Sequence, residues 1–206
     1  MTDPFQNLPK GHYGAILADP PWRFATWNKA TAVQARASKS TYKAASAHYT
    51  TLSTEDIAAL PVAELAAEDS CLFMWISWPM LTDAMDLIEA WGFKYKTCGF
   101  DWMKAHAGQL DMLRDDTDAL MGMGYWTRAN TEPCLLATRG KPKRLNADVR
   151  QGIIEPRREH SRKPDCVHGR IERLVAGPYL ELFARAPKTG WDVWGNQTEK
   201  FKEAAE

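Results

Sequence analysis

Four short apolar runs constrain the fold of this chain more than any other feature. They occupy residues 15–18, 71–76, 134–138 and 179–184. Runs this short, apolar at nearly every position, are typical of strands that are buried on both faces of a parallel sheet. Between them, residues 80–91 and 163–175 carry apolar residues on one helical face, and Gly92 and Gly177 follow as stop signals. The pattern predicts an α/β fold with a mostly parallel sheet flanked by helices.

Length and composition predict one domain, residues 1–206, with no apolar stretch long enough to cross a membrane. The N-terminal residues lack the basic and then apolar pattern of a signal peptide, so we expect a cytoplasmic protein. Four cysteines without a Cys-x-x-Cys pair and five histidines without ligand spacing predict neither a disulfide framework nor a metal site.

The formal net charge is zero, but the charges are segregated along the chain. Residues 23–43 contain five basic residues and no acid, and residues 141–173 contain ten basic residues against five acids. This distribution predicts a positive face for nucleic acid, although solvated faces of mixed sign remain an alternative. Residues 23–48 are interpreted as a mobile loop facing the substrate. The candidate phosphate contacts are Lys39, Lys43, Arg157 and Arg158.

The first apolar run ends in Asp19-Pro20-Pro21-Trp22. The Asp19 carboxylate can accept a hydrogen bond from an amine, and the prolines offer carbonyl acceptors with no N–H of their own. Trp22 could supply a face on which a flat ring stacks. The segment therefore predicts a slot for the exocyclic amine of a heteroaromatic ring, with adenine the natural candidate. An ordinary turn after a strand is the alternative.

With these elements in order, residues 13–197 resemble the mRNA adenosine N(6)-methyltransferase-like family (MT-A70), including bacterial and phage relatives that modify DNA. The resemblance is carried by eight segments in family order: Ala18–Trp22, Leu72–Trp75, Trp102–Lys104, Glu132–Leu136, His160–Asp165, Ile171–Arg173, Leu180–Arg185 and Trp194–Gln197.

The resemblance implies a Rossmann-like class I methyltransferase fold with permuted motif order that uses S-adenosylmethionine. It implies that Asp19, Pro20, Pro21 and Trp22 hold the target adenine and that Asp19 also contacts the cofactor. The cofactor's ribose and adenine would be held by Glu181, Arg185, Asn196 and Gln197. Arg139 and Lys163 would meet its methionine carboxylate.

Some of these residues could instead have a purely structural role. Glu181 and Arg185 could form a surface pair, Asn196-Gln197 a simple turn, and Lys163 the start of a helix. The chain also departs from the family's Lys-Pro-Asp-Glu-x-Tyr run, which here reads Lys163-Pro164-Asp165-Cys166-Val167-His168.

The predicted activity is N(6)-adenine methylation of DNA with base flipping. RNA methylation, methylation of cytosine or of a glutamine amide, and a non-catalytic nucleic-acid-binding paralogue are the rivals. Protein partners are unknown from sequence, and a monomer or a homodimer is possible.

Overall fold

The computed structural model describes residues 3–22, 52–106, 119–122, 126–158 and 162–198. The predicted loop 23–48, with Lys39 and Lys43, lies outside these ranges. The described chain forms one seven-stranded sheet in the order β5-β3-β4-β2-β1-β6-β7. Its strands are β1 (Tyr13–Ala18), β2 (Ala66–Trp75), β3 (Lys94–Ala105), β4 (Thr131–Arg139), β5 (Gly152–Pro156), β6 (Tyr179–Leu182) and β7 (Trp191–Trp194).

One strand of this sheet runs against the others. β1 pairs in parallel with β2 and β6, β6 with β7, and β3 with β5, whereas β4 pairs antiparallel with both β2 and β3. The prediction of a mostly parallel α/β sheet is therefore confirmed. A consequence for the site is that β4 begins at the edge where its neighbours end.

Within the described ranges, four α-helices accompany the sheet: α1 (Thr54–Ala58), α2 (Val62–Leu65), α3 (Leu81–Ala90) and α4 (Cys166–Leu174). Ser53 caps α1, because its hydroxyl accepts the backbone N–H of Asp56 at 3.1 Å. The predicted stop after α3 is present. Gly92 adopts a φ of +78°, a conformation that L side chains rarely adopt.

Both faces of the sheet are apolar and buried, as the unbroken apolar runs predict. One face carries Ile16, Leu72 and Leu180 and packs against α1, α2 and α3. The opposite face carries Leu17 and Phe73 and packs against α4. Among the described residues, no helix is long and apolar enough to span a bilayer.

Sequence reasoning missed β5. Its sequence is Gly-Ile-Ile-Glu-Pro, and only Ile153 is fully buried, while Ile154 is about half exposed. A five-residue edge strand with glycine and proline at its ends carries too little periodicity to be separated from a loop.

Candidate active site

The carboxyl ends of the parallel strands and the start of β4 form one rim of the sheet, which we call the carboxyl edge. Ligands of open α/β sheets bind at this edge. A cavity of about 580 Å³ opens there between the ends of β1 and β6 and the start of α4. It is lined by Leu17, Asp19, Trp75, Arg162, Lys163, Pro164, Asp165, Val167, His168, Glu181, Phe183, Arg185, Ala186, Pro187, Lys188 and Thr189.

The structure brings Lys163 onto Asp19. The Lys163 ammonium lies 2.9 Å from Asp19 Oδ1 and 3.0 Å from Oδ2, and both side chains remain about one-fifth exposed to the cavity. Since a carboxylate has about four acceptor positions, the ammonium leaves room on Asp19 for further donors. Lys163 thus does more than begin a helix, because its side chain neutralises the acid of the predicted amine slot.

Glu132 joins this pair from β4. Its Oε1 lies 2.9 Å from the Lys163 ammonium, and its Oε2 lies 2.7 Å from the ammonium of Lys104 on β3. Burial alone would raise the pKa of Glu132, but the two ammonium groups outweigh burial and lower it to about 2. Burial lowers the pKa of Lys163, whereas Asp19 and Glu132 raise it above its usual range. Glu132 and Lys163 of this Asp19–Lys163–Glu132–Lys104 cluster are therefore both charged at neutral pH.

Glu132 and Lys104 were not among the predicted site residues. Both lie in segments that carried the family resemblance, which was the available signal. What the sequence could not show is that the reversed direction of β4 places its second residue at the carboxyl edge.

The prolines after Asp19 have partly committed carbonyls. The carbonyl of Pro20 accepts the N–H of Trp22 at 2.8 Å, and that of Pro21 accepts the N–H of Leu52 at 3.1 Å. A carbonyl has two lone pairs, so the Pro20 oxygen can still accept a second donor.

The expected stacking role of Trp22 is not supported by its position. Trp22 is only 4% exposed, packs in the core with α1 and α3, and donates its indole N–H to the carbonyl of Trp75 at 3.2 Å. Its ring therefore offers no open face to a base. It anchors the Asp19-Pro20-Pro21 turn to the end of β2.

Glu181 is paired with a histidine. Leu17 and Glu181 are register partners on β1 and β6, so Glu181 and Asp19 lie on the same face, offset by two positions along the strand direction. The carboxylate of Glu181 lies 2.7 Å from His168 Nε2 on α4. Sequence reasoning noted His168 only as a departure from the family run.

Arg185 approaches Asp19 because the chain turns sharply after β6. Phe183 has a φ of 62°, in the left-handed region, which redirects the backbone that follows it. The Arg185 guanidinium then lies 3.8 Å from Asp19 Oδ2, the outer limit of an ion pair. Asp19, Lys163, Glu181 and Arg185 thus all line the same cavity.

Asn196 and Gln197 form the turn after β7, at the same edge but outside the lining of the cavity. Gly195 is required for this placement. A Cβ there would lie 2.5 Å from the carbonyl oxygen of Ala184, so only glycine lets β7 end this close to the Phe183–Ala184 backbone.

Arg139 lies at the opposite edge from its expected partners. It is the last residue of β4 and pairs with Ser70, near the start of β2. Its guanidinium donates a hydrogen bond to the carbonyl of Ala63. Because β4 runs antiparallel, its last residue lies away from the carboxyl edge, so the structure does not bring Arg139 together with the other predicted cofactor residues.

Arg157 and Arg158 follow β5 at the carboxyl edge. Both are exposed, but Arg158 donates to Asp165 Oδ2 at 2.6 Å and to the carbonyl of Lys163 at 3.2 Å. Arg158 therefore braces the segment that carries Lys163.

The MT-A70 family profile matches residues 13–197. The chain belongs to the MT-A70 family. This match, together with the α/β sheet, confirms the family, the Rossmann-like fold and the methyltransferase class predicted from the sequence.

Similar proteins differ widely in length. The chain is 32% identical over 204 residues to the type II methyltransferase M.MunI of Mycoplasma sp., covering 95% of this chain and 82% of the relative. It is 28% identical over 193 residues to an N(6)-adenosine-methyltransferase MT-A70-like protein of Arabidopsis thaliana. It is 25% identical over 193 residues to the catalytic subunit METTL3 of Homo sapiens. These two matches cover 91% and 92% of this chain but only 24% and 29% of the relatives.

Proposed function

We propose that this chain transfers a methyl group from S-adenosylmethionine to the exocyclic amine of adenine in DNA. The observation that carries the proposal is the position of Asp19. Its carboxylate lies at the carboxyl edge of the sheet, opens into a cavity of about 580 Å³ and retains acceptor capacity beside Lys163.

The lining of the cavity fits S-adenosylmethionine. Its volume is within the range of about 300–1,000 Å³ typical of small-molecule sites. The Glu181 carboxylate can accept hydrogen bonds from ribose hydroxyls, and Arg185 and Lys163 can meet a carboxylate. Leu17, Phe183 and Pro187 add apolar surface for a purine. When bound, the cofactor supplies an electrophilic methyl group on a sulfonium sulfur.

The adenine amine is a weak nucleophile because its lone pair is delocalised into the ring. Asp19 would accept one amine hydrogen and the carbonyl of Pro20 the other, which favours a pyramidal nitrogen with a freer lone pair. Lys163 holds the Asp19 carboxylate in place by its ion pair at 2.9 Å. The chain would thereby orient the nitrogen toward the methyl donor, and the proton lost from the amine would leave to water.

The base must reach this cavity from outside. In a duplex it would have to leave the stack, at a cost of a few kcal/mol. Arg157 and, outside the described residues, Lys39 and Lys43 would hold phosphates without reading sequence. Asn196 and Gln197, at the rim, would close over the nucleoside end of the cofactor.

DNA is favoured over RNA by the long match to M.MunI, since type II is a term for DNA-modification enzymes. RNA is the second candidate, because the plant and animal relatives are named N(6)-adenosine-methyltransferases. We further propose that residues 1–206 act as one methyltransferase domain and that the activity is cytoplasmic.

The test is transfer of a labelled methyl group to matched DNA and RNA oligonucleotides and to DNA without adenine. We expect label in N(6)-methyladenine of DNA alone. Asp19→Asn should reduce transfer at least a hundredfold, because the charge that holds the amine is lost. It should leave the Kd for S-adenosylhomocysteine within about fivefold. Asp148→Asn, which removes an exposed ion-paired carboxylate, is the control. Label in adenine-free DNA, or an Asp19→Asn variant of normal activity, would refute the proposal.

A further inference from the structure

His168 and Glu181 face each other across the wall of the cavity. His168 lies in the first turn of α4 and Glu181 on β6, and their side chains are 15% and 19% exposed. His168 Nε2 lies 2.7 Å from Glu181 Oε2. Because a carboxylate only accepts, this short distance requires Nε2 to carry the proton and to donate it.

The imidazole is held in this orientation by its surroundings. Its ring meets Trp191 of β7 edge to face, with centroids 4.8 Å apart at 89°. Trp191 is fixed in turn, since its indole N–H donates to Glu172 Oε1 at 2.7 Å and its ring stacks on Tyr179 at 4.9 Å. The donor therefore points at Glu181 before any ligand arrives.

The other carboxylates near His168 on α4 have partners of their own. Asp165, one turn before it, pairs with Arg158 and Arg162. Glu172, one turn after it, accepts the indole N–H of Trp191. Glu181 is the carboxylate that the histidine contacts, and it lines the cavity from the neighbouring element.

Glu181 stands at a fixed distance from the amine slot. Asp19 and Glu181 share a face of adjacent parallel strands and are offset by two positions, or about 6.6 Å along the strand direction. Asp19 therefore lies at the end of the cavity where the amine is proposed to react, and Glu181 lies further in, beside α4. Each is fixed by a basic side chain from the 163–168 segment, Lys163 for Asp19 and His168 for Glu181.

We propose that His168 is a positioning residue for cofactor binding. By donating to Oε2 it fixes the Glu181 carboxylate so that Oε1 accepts a ribose hydroxyl of the bound nucleoside. This inference rests on the proposed use of S-adenosylmethionine and adds a residue that acts through Glu181 without touching the reacting atoms.

The experiment compares S-adenosylhomocysteine with its 2′-deoxy and 3′-deoxy analogues by titration calorimetry. The informative variant is His168→Phe, which keeps a ring against Trp191 and removes the donor. We expect its Kd for S-adenosylhomocysteine to rise about tenfold, as for loss of a hydrogen bond to a charged group. In the wild type, one of the two deoxy analogues should show the larger rise in Kd over S-adenosylhomocysteine, which we call the deoxy penalty. In His168→Phe this penalty should shrink to less than about threefold. His168→Gln, which restores a donor, should recover most of the affinity.

Kinetics supply a second readout. His168→Phe should raise KM for the cofactor and leave kcat at saturating cofactor within about twofold, because the amine slot is untouched. His12→Ala, at the opposite edge of the sheet, is the control. If His168→Phe does not fold, His168→Gln and Glu181→Gln carry the same comparison: the first should keep the deoxy penalty and the second should lose it.

Failure of the His168 inference and failure of the proposed function give different results. If wild-type protein binds S-adenosylhomocysteine but His168→Phe retains the full deoxy penalty, His168 is structural and only this inference is overturned. If the wild-type protein does not bind S-adenosylhomocysteine, the proposed function fails as well.

Discussion

Asp19 and Glu132 bind the same ammonium group, although their strands are separated in the sheet by β2. Lys163 reaches both carboxylates at 2.9 Å, and Lys104 closes the cluster on the far side of Glu132. The acid proposed to hold adenine is thus one member of a four-charge network in which two ammonium groups balance two carboxylates.

Removing Lys163 should destabilise the fold because two carboxylates lose their shared partner. We expect Lys163→Met to lower the free energy of unfolding by about 2–3 kcal/mol, less than a fully buried pair because the side chains are partly exposed. In a Glu132→Gln background the same substitution should cost about 1 kcal/mol less, since one carboxylate is already neutral. Urea denaturation of the four proteins at pH 7 measures this. Equal costs in both backgrounds would show that the two residues are not coupled.

Glu132 should also make stability depend on pH. Its pKa is lowered from 4.5 to about 2 in the folded protein. The unfolded chain therefore takes up the proton first, and the stabilisation present above pH 4.5 is lost as the pH falls toward 2. Between pH 6 and pH 3 the wild type should lose about 2 kcal/mol more of its free energy of unfolding than Glu132→Gln does. Parallel losses in the two proteins would contradict the lowered pKa.

Trp78 offers a test of base stacking at the rim. Unlike Trp75 and Trp102, which are buried, Trp78 is 48% exposed, and its indole N–H lies 3.3 Å from the hydroxyl of Thr131. We expect Trp78→Ala to raise KM for the nucleic acid about tenfold, consistent with one lost stacking contact, and to leave cofactor affinity unchanged. Trp78→Phe should retain most of the affinity. Tyr95→Ala, exposed at the start of β3 on the opposite edge, is the matched control. A similar effect from both alanine variants would exclude a specific role for Trp78.

Arg157 should contribute more to phosphate binding than Arg158. Arg157→Gln should weaken binding across all sequences and reduce the slope of log K against log salt by about 1. Arg158→Gln should change that slope less, because its guanidinium is engaged by Asp165 and the Lys163 carbonyl. Fluorescence anisotropy over a salt series measures both, with Lys94→Gln at the opposite edge as control. An unchanged slope for Arg157→Gln would place the phosphates elsewhere.

The sequence predicted most of the sheet because its strands are short, apolar and separated by clear helical patterns. It also predicted Asp19, Lys163, Glu181 and Arg185, which all line one cavity. It could not show that β4 runs antiparallel to its neighbours. That reversal places Arg139 at the edge opposite the cavity and Glu132 at the carboxyl edge. Likewise, no local pattern reveals that Trp22 turns into the core or that His168 meets Glu181, because both depend on packing between distant segments.

The reversal of β4 has a broader consequence for how such a chain can diversify. The stretch after Trp22 returns at Leu52, which bridges to Trp22, and the stretch after Ala105 returns to β4 beside Met103. Both connections therefore begin and end at the carboxyl edge. A change in the length of either one can leave every strand register intact, so the surface around the proposed active site can vary independently of the sheet that positions Asp19.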